Sequence, residues 1–404
     1  MLLQSQLSEV VDAQSASFLN KNVGWQREAL SKISVPDNLA LIITGIRRCG
    51  KSTLLFQLLK QRFNNAFYLH FEDPRLAGFE NEDFTRLSNE IARRNPPVLF
   101  FDEIQILENW ELFVRQKLDE GYKVVITGSN ASLLSQELGT KLTGRHISVE
   151  LFPFSFSEFL GLKKLIHSEK SVSEYLRKGG FPEYLKTDNG SLLNQLLEDI
   201  LYRDIAVRYA VRNVKTLKQL AVYLLSNIAK PVSATNLTKL FEIKSTSALL
   251  DYFAFLENAY IVQFLPIFSY SLKKQIRNPR KVYSIDLGLF TENSIVFSEE
   301  NGRRIENAVY LHLRRRWKEL YYFQEKKECD FVIFERGKLQ QLIQVCYELT
   351  ADNLERETDG LYTAMEFFKI NYGTIVTFNQ KDTFTKGDKK IEVISLDDFL
   401  LRSF

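Results

Sequence analysis

Residues 39–63 read LALIITGIRRCGKSTLLFQLLKQRF. The run LALIIT is continuously apolar and ends in Gly45, GIRRCGKST (Gly45 to Thr53) fits the spacing G-x4-G-K-[ST], and STLLFQLLKQRF has helical spacing. Strand, glycine-rich turn and helix in that order give the spacing its physical meaning. Gly45 and Gly50 let the backbone curl closely. The N–H groups of the loop and helix start, from Arg48, Cys49 and Gly50 into Lys51, Ser52 and Thr53, are then free to bind phosphate oxygens. Lys51 is placed to bridge β- and γ-phosphates, and the Ser52 hydroxyl to ligate Mg²⁺. The expected ligands are ATP and Mg²⁺. Cys49 reads as a small loop residue.

Working outward, AFYLHFE (66–72), PVLFFDE (97–103) and KVVITGS (123–129) are further continuous apolar runs with helical segments between them. Such runs predict a parallel sheet covered on both faces, in a doubly wound α/β domain. Ligands of open α/β sheets bind at the C-terminal strand edge, where Asp102 and Glu103 fall. Asp102 suits the Mg²⁺ shell, and Glu103 suits orienting or deprotonating an attacking water. Ser129 and Asn130 end the next strand. Either can read the γ-phosphate or the water, or cap the following helix. Arg145, in LTGRHISVELF, can reach a neighbouring subunit's γ-phosphate or lie in a surface loop.

The 404 residues allow two to four domains. A net charge of +3 is too small to argue for nucleic acid on its own. Three scattered cysteines, Cys49, Cys329 and Cys346, form no disulfide framework and suit a reducing cytosol, so a cytoplasmic location is expected. The N-terminus lacks a signal-peptide pattern. No apolar run approaches ~20 residues, so no membrane partner is expected.

Residues 153–212 read as helices punctuated by Gly179-Gly180 before Phe181-Pro182. Residues 214–285 read as three helices, the second and third begun by Ser caps, then a strand, a basic loop SLKKQIRNPRK and a return strand, which describes a winged helix. Lys273, Lys274, Arg277, Arg280 and Lys281 crowd that loop and could neutralise DNA phosphates. The helix STSALLDYFAFLEN would enter a groove, but it carries no Arg, one Asp and one Glu. Residues 302–404 read helix, three strands, helix, two strands, helix.

The order of phosphate loop, Asp-Glu strand, Thr-Gly-Ser-Asn strand and Gly-Arg after the next helix resembles that of AAA-type ATPases. More narrowly, the chain resembles a large prokaryotic family of stand-alone AAA ATPases. The segments that carry this are TGIRRCGKSTLL, FEDPRL (71–76), LFFDEIQ, ITGS, LTGR, FPFSFSEF, GGFPEY, KVYSIDLGL and RIENAVY, and the likeness spans nearly the whole chain. It implies a P-loop AAA-type core over 1–152, a helical lid over 153–212, a winged helix over 213–290, and an α+β restriction-endonuclease-like domain of PD-(D/E)xK type over 291–404. It also implies that Pro182, in GGFPEY, packs by the nucleotide base. Glu183 stands where many oligomeric motors carry a sensing Arg.

The same resemblance maps a nuclease site onto Glu306, Asp330 and Gln344, with Gln344 where the second strand acid belongs. Strand alternation puts Gln344, Cys346 and Glu348 on one face, so Cys346 takes the position of the family's Lys. A neutral thiol does not replace an ammonium, and losing one such group costs roughly 10²–10³ in rate. The expectation is a vestigial site in a domain that recognises rather than cuts. The expected activity is that of an ATPase switch or remodeller acting with DNA. The alternatives are an ATP-dependent nuclease and a signalling-type NTPase with a protein partner. Assembly as a homo-oligomer is compatible with each.

Overall fold

Five strands in the first 152 residues pair in parallel: β1 (Ala40–Thr44), β2 (Phe67–His70), β3 (Val98–Asp102), β4 (Lys123–Gly128) and β5 (His146–Glu150), in the order β2-β3-β4-β1-β5. The computed structural model describes residues 1–63, 65–129, 142, 144–295 and 300–402. The chain divides into two units, Met1–Phe152 and Pro153–Phe404.

In the first unit every residue of β1 and β3 is buried, as continuous Val, Ile, Leu and Phe require in a sheet covered on both faces. Helices Lys51–Arg62, Asp83–Arg94 and Trp110–Asp119 make the crossovers. An N-terminal helix, Gln4–Leu19, buries Leu7, Val10 and Val11 in the core cluster that includes Phe67, Leu69 and Phe101. Gln14 fixes it further, since its amide donates to His70 O and the His70 N–H donates to Gln14 Oε1.

The second unit begins with helices Phe156–Lys163, Glu169–Lys178, Pro182–Thr187 and Ser191–Asp199, the last running into a π-helical turn at Ile200–Val207. Strands β6 (Pro231–Val232), β7 (Val262–Leu265) and β8 (Arg280–Ser284) form an antiparallel sheet in the order β6-β8-β7. Helices Val214–Ser226, Ala234–Leu240 and Thr246–Asn258 accompany it, and the Ser233 and Ser245 hydroxyls accept from the Asn236 and Ala248 N–H groups, closing two helix starts. The basic segment is not wholly loop. Leu272–Arg277 is a short helix, because LKKQIR has good helix formers throughout and Pro279 stands just beyond its end.

The remaining strands, β9 (Glu319–Gln324), β10 (Glu328–Glu335), β11 (Lys338–Val345), β12 (Tyr372–Thr377), β13 (Asp382–Lys386) and β14 (Lys389–Ser395), form a mixed sheet in the order β13-β14-β12-β11-β10-β9. The β10–β11 hairpin turns at Arg336 and Gly337, both at positive φ, which matches the twist of the flanking strands. β13 was not expected. Its DTFTK is almost wholly exposed and lies at the sheet edge, where a strand carries no core-facing pattern.

Gly179 and Gly180 have a packing reason. A Cβ on Gly179 would lie 2.4 Å from Asp286 Oδ1, and one on Gly180 would lie 2.2 Å from Phe154 O. The Asp286 carboxylate accepts from the Gly180 N–H at 2.6 Å and from the Leu289 N–H at 3.0 Å. GGFPEY and SIDLGL therefore meet in one joint.

Candidate nucleotide site and carboxylate cluster

The loop after β1 is held from below. Gly45 has φ 150°, and a Cβ there would lie 2.1 Å from Leu151 O; Gly50, at φ 101°, begins the helix Lys51–Arg62. The buried Arg27 guanidinium donates to Cys49 O at 2.6 Å and to Phe152 O at 2.7 Å, and its own N–H donates to Gln57 Oε1 at 3.0 Å. The Cys49 thiol is buried and donates to Leu151 O at 3.4 Å. Burial pushes its pKa up, against the pull of Lys51 and Arg27, so it is an inert packing group. Its N–H donates to Ile46 O at 3.2 Å. Arg48 is exposed at φ 64°. Arg47, beside it, pairs with Glu72 of FEDPRL at 3.0 Å. Ser52 and Thr53 are half-buried in the first turn of the helix.

Lys51 is buried and folds back on the loop, donating to Gly45 O at 2.9 Å and Ile46 O at 3.2 Å, with Glu103 Oε1 at 3.9 Å. Asp102 ends β3 between its two neighbours: in register it faces His70 of β2 and Thr127 of β4. Its carboxylate accepts from the Tyr68 hydroxyl at 3.0 Å and from the Thr127 hydroxyl. Burial, and then the Asp102 charge, pushes the Tyr68 phenol up, so it stays a donor. Glu103 holds φ 57°, a left-handed conformation rare for a residue with a Cβ and found at sites where geometry is over-determined. Its Oε2 accepts from the Gln105 amide, and from the N–H (3.2 Å) and hydroxyl (3.3 Å) of Ser129. Lys51, Asp102, Glu103 and Ser129 thus meet at the C-terminal edge of the sheet.

Asn130 lies outside the described residues. Arg145 is not with this group. Its carbonyl accepts from Ala40 N at the start of β1, while the loop leaves the far end of that strand, ~16 Å away for five residues. Its guanidinium pairs with Asp119. Pro182 belongs to the second unit, where it is half-buried at the start of its helix.

In the second unit, the residues mapped to a nuclease site do gather, with one addition that changes its character. Lys281, expected as a surface contact to DNA, is only 2% exposed. It is on the central strand β8, and its Nζ donates to Glu306 Oε1 at 2.9 Å and Asp330 Oδ1 at 2.7 Å, with Glu328 Oε1 at 2.7 Å. Burial works against its charge, but the Asp330 and Glu306 carboxylates raise its pKa well above the usual lysine value. Tyr283, two residues on and so on the same strand face, donates to Glu306 Oε1 at 2.7 Å. Ser284 and Asn307 exchange two hydrogen bonds, at 2.8 and 3.0 Å. Gln344 spends its amide between Asp330 N (3.2 Å) and Glu357 Oε2 (2.9 Å). The Cys346 thiol donates to Glu348 O at 3.0 Å, and burial followed by Glu357 pushes its pKa up to about 11.

Of the other cations expected at the DNA surface, Lys273, Lys274 and Arg277 are exposed and Arg280 is half-buried. Exposed Tyr270, Leu272 and Ile276 accompany them. Among the described residues no helix is long and apolar enough to cross a membrane. The braces Arg27, Tyr68 and Glu328 belong to no motif, and Thr127 lies in the ITGS segment, which does not mark it as a partner of Asp102. Lys281 had a signal, because it alternates with Tyr283 in an otherwise buried strand, KVYSI.

Residues 37–160 match the family model described as AAA domain, and residues 169–299 match a domain of unknown function (DUF8612). The chain is 34% identical to the uncharacterized protein MJ1544 of Methanocaldococcus jannaschii, over 96% of this chain and 89% of that protein. It is 30% identical to an uncharacterized protein of Haemophilus influenzae, over 89% of this chain and 94% of that protein. Among solved structures, a signal transduction ATPase with numerous domains and a tetratricopeptide repeat sensor, PH0952 from Pyrococcus horikoshii, matches at 17% identity and a TM-score of 0.29, covering 72% of this chain and 45% of that one. A likeness that weak adds nothing to the fold described above. The chain carries an AAA domain of P-loop ATPase type and belongs to one protein family with MJ1544 of Methanocaldococcus jannaschii and the Haemophilus influenzae protein.

Proposed function

We propose that the protein binds and hydrolyses ATP with Mg²⁺ and uses the cycle as a switch or remodeller acting with DNA. The observation that carries this reading is the convergence of Lys51, Asp102, Glu103 and Ser129 on the sheet edge that the phosphate loop leaves. The Ser52 hydroxyl and Asp102 carboxylate are hard oxygen donors of the kind Mg²⁺ takes, and they are the residues that would hold it. Bound there, Mg²⁺ neutralises charge on the phosphates.

Lys51 exchanges the neutral carbonyls of Gly45 and Ile46 for anionic phosphate oxygens, a gain in hydrogen-bond strength that favours nucleotide entry. Glu103 accepts a proton from, or aligns, the attacking water. Ser129, donating twice to one Glu103 oxygen, fixes which oxygen remains for that task. Arg145, remote from its own chain's loop, fits the role of an arginine offered to a neighbouring copy.

The helices and three-stranded sheet of residues 213–290 suit a winged helix, with Lys273, Lys274 and Arg277 exposed and Arg280 half-buried. The sheet of residues 319–395 suits a PD-(D/E)xK-like fold, with Glu306, Asp330, Gln344 and Cys346 as its altered site. The test is the steady-state ATPase rate with and without single-stranded, double-stranded and branched DNA. Stimulation is expected. A rate indifferent to all three favours the signalling-type NTPase. ATP binding that survives Lys51→Ala unchanged contradicts the nucleotide site.

A further inference from the structure

The resemblance to PD-(D/E)xK nucleases implies a divalent cation between Glu306 and Asp330, and the side chains present do not fit one. The point shared by Glu306 Oε1, Glu328 Oε1 and Asp330 Oδ1 holds the Lys281 ammonium, at 2.9, 2.7 and 2.7 Å. A Mg²⁺ at ~2.1 Å from the same oxygens would overlap that nitrogen. The two positions that would complete a nuclease site are also committed elsewhere. Gln344 bridges Asp330 N and Glu357, and the Cys346 thiol is turned to Glu348 O.

We propose that Lys281 is the built-in cation of this cluster: its ammonium takes the divalent ion's place, closes the site to metal, and latches strand β8 onto the carboxylates of Glu306, Glu328 and Asp330.

The stoichiometry favours a purpose-built latch over an incidental contact. A lysine ammonium has three donors and no acceptor, and here it meets three carboxylates, each within charge-assisted hydrogen-bond distance. The carboxylates are also held from behind: Tyr283 donates to Glu306, and the Val345 N–H donates to Asp330 Oδ2 at 2.9 Å. The Ser284–Asn307 exchange fixes the backbone of β8 against the helix that carries Glu306. The Tyr322 ring, 5.8 Å from Nζ, lines the same space. A lysine that served beside a metal would have to lie outside the carboxylate crossing, and Lys281 lies at it. Moving β8 away would strand acidic groups with no counterion, so β8 and the cluster move together or not at all. The inference is independent of the ATPase reading, since none of these residues belongs to the phosphate loop.

The test is Mn²⁺ binding to the full chain without nucleotide, followed by electron paramagnetic resonance, in wild type, D330N, K281M and K281M/D330N. Wild type and D330N are expected to bind Mn²⁺ alike and weakly. K281M is expected to gain a site at least roughly 100-fold tighter, which K281M/D330N loses again. If K281M does not fold, the wild-type arm decides. Mn²⁺ binding to wild type that D330N removes overturns the proposal, and its absence supports it. A folded K281M that gains no site overturns it. So does Mn²⁺-dependent DNA cleavage by wild type that both K281M and D330N abolish, since Lys281 would then be a catalytic residue rather than a latch.

Discussion

Replacing Arg27 with methionine tests whether the phosphate loop is braced from outside its motif. The guanidinium makes two short bonds to buried carbonyls, Cys49 O at 2.6 Å and Phe152 O at 2.7 Å. Methionine keeps much of the aliphatic volume and removes both donors. A hydrogen bond from a charged group is worth about 1.5–3 kcal/mol, so two amount to about 3–6 kcal/mol. Against a folding stability of about 5–15 kcal/mol for a domain, that is a large fraction. Because Cys49 lies inside the loop, part of the loss should appear as local opening. The assay is hydrogen exchange of the amides of residues 45–52, read beside a urea unfolding curve and the affinity for a fluorescent ATP analogue. The expected result is faster exchange across the loop, a lower urea midpoint and weaker nucleotide binding. Wild-type exchange, midpoint and affinity together would refute the bracing argument.

Gly45→Ala should destabilise the first unit by about 1–3 kcal/mol and weaken ATP binding, since its Cβ would meet Leu151 O at 2.1 Å; a thermal-shift titration with ATP checks both. Burial pushes the Asp286 carboxyl up to about 6, although the Gly180 and Leu289 N–H groups oppose this. A raised carboxyl favours folding most below its unfolded value of about 3.9, and that contribution is lost as pH rises through about 6. Relative to D286N, whose amide does not titrate, wild type should therefore be less stable at pH 7 than at pH 4 by about 2 kcal/mol, and a difference flat in pH would contradict the assignment. K273Q/K274Q/R277Q should weaken duplex DNA binding and make the slope of log affinity on log salt shallower by about three, which a salt titration by fluorescence anisotropy measures.

What could be read from the chain beforehand follows from the range of the interactions. Gly45, Gly50, Lys51, Asp102 and Glu103 are specified by local spacing and by strand ends, so their sequence neighbourhood announces them. The Ser caps of the helices Ala234–Leu240 and Thr246–Asn258 are equally local. Arg27, by contrast, reaches carbonyls 22 and 125 residues away, and no periodicity marks such a residue. Lys281 was legible as a charge but not as a buried one. Its neighbours Arg277 and Arg280 make it look like part of a solvated basic run, while its partners Glu306, Glu328 and Asp330 lie on a later helix and strand. The alternation Lys281, Tyr283 within a buried strand was the clue, and the surrounding positive charge outweighed it.

The central claim is that Glu103, held by Ser129 beside Lys51, drives hydrolysis of a nucleotide bound by the phosphate loop. The most direct measurement is single-turnover ATP hydrolysis with Mg²⁺ by wild type and Glu103→Gln, alongside equilibrium ATP binding for both. The account predicts that the variant binds ATP about as tightly as wild type and hydrolyses it about 100-fold more slowly or worse. Equal hydrolysis rates with binding intact would contradict it.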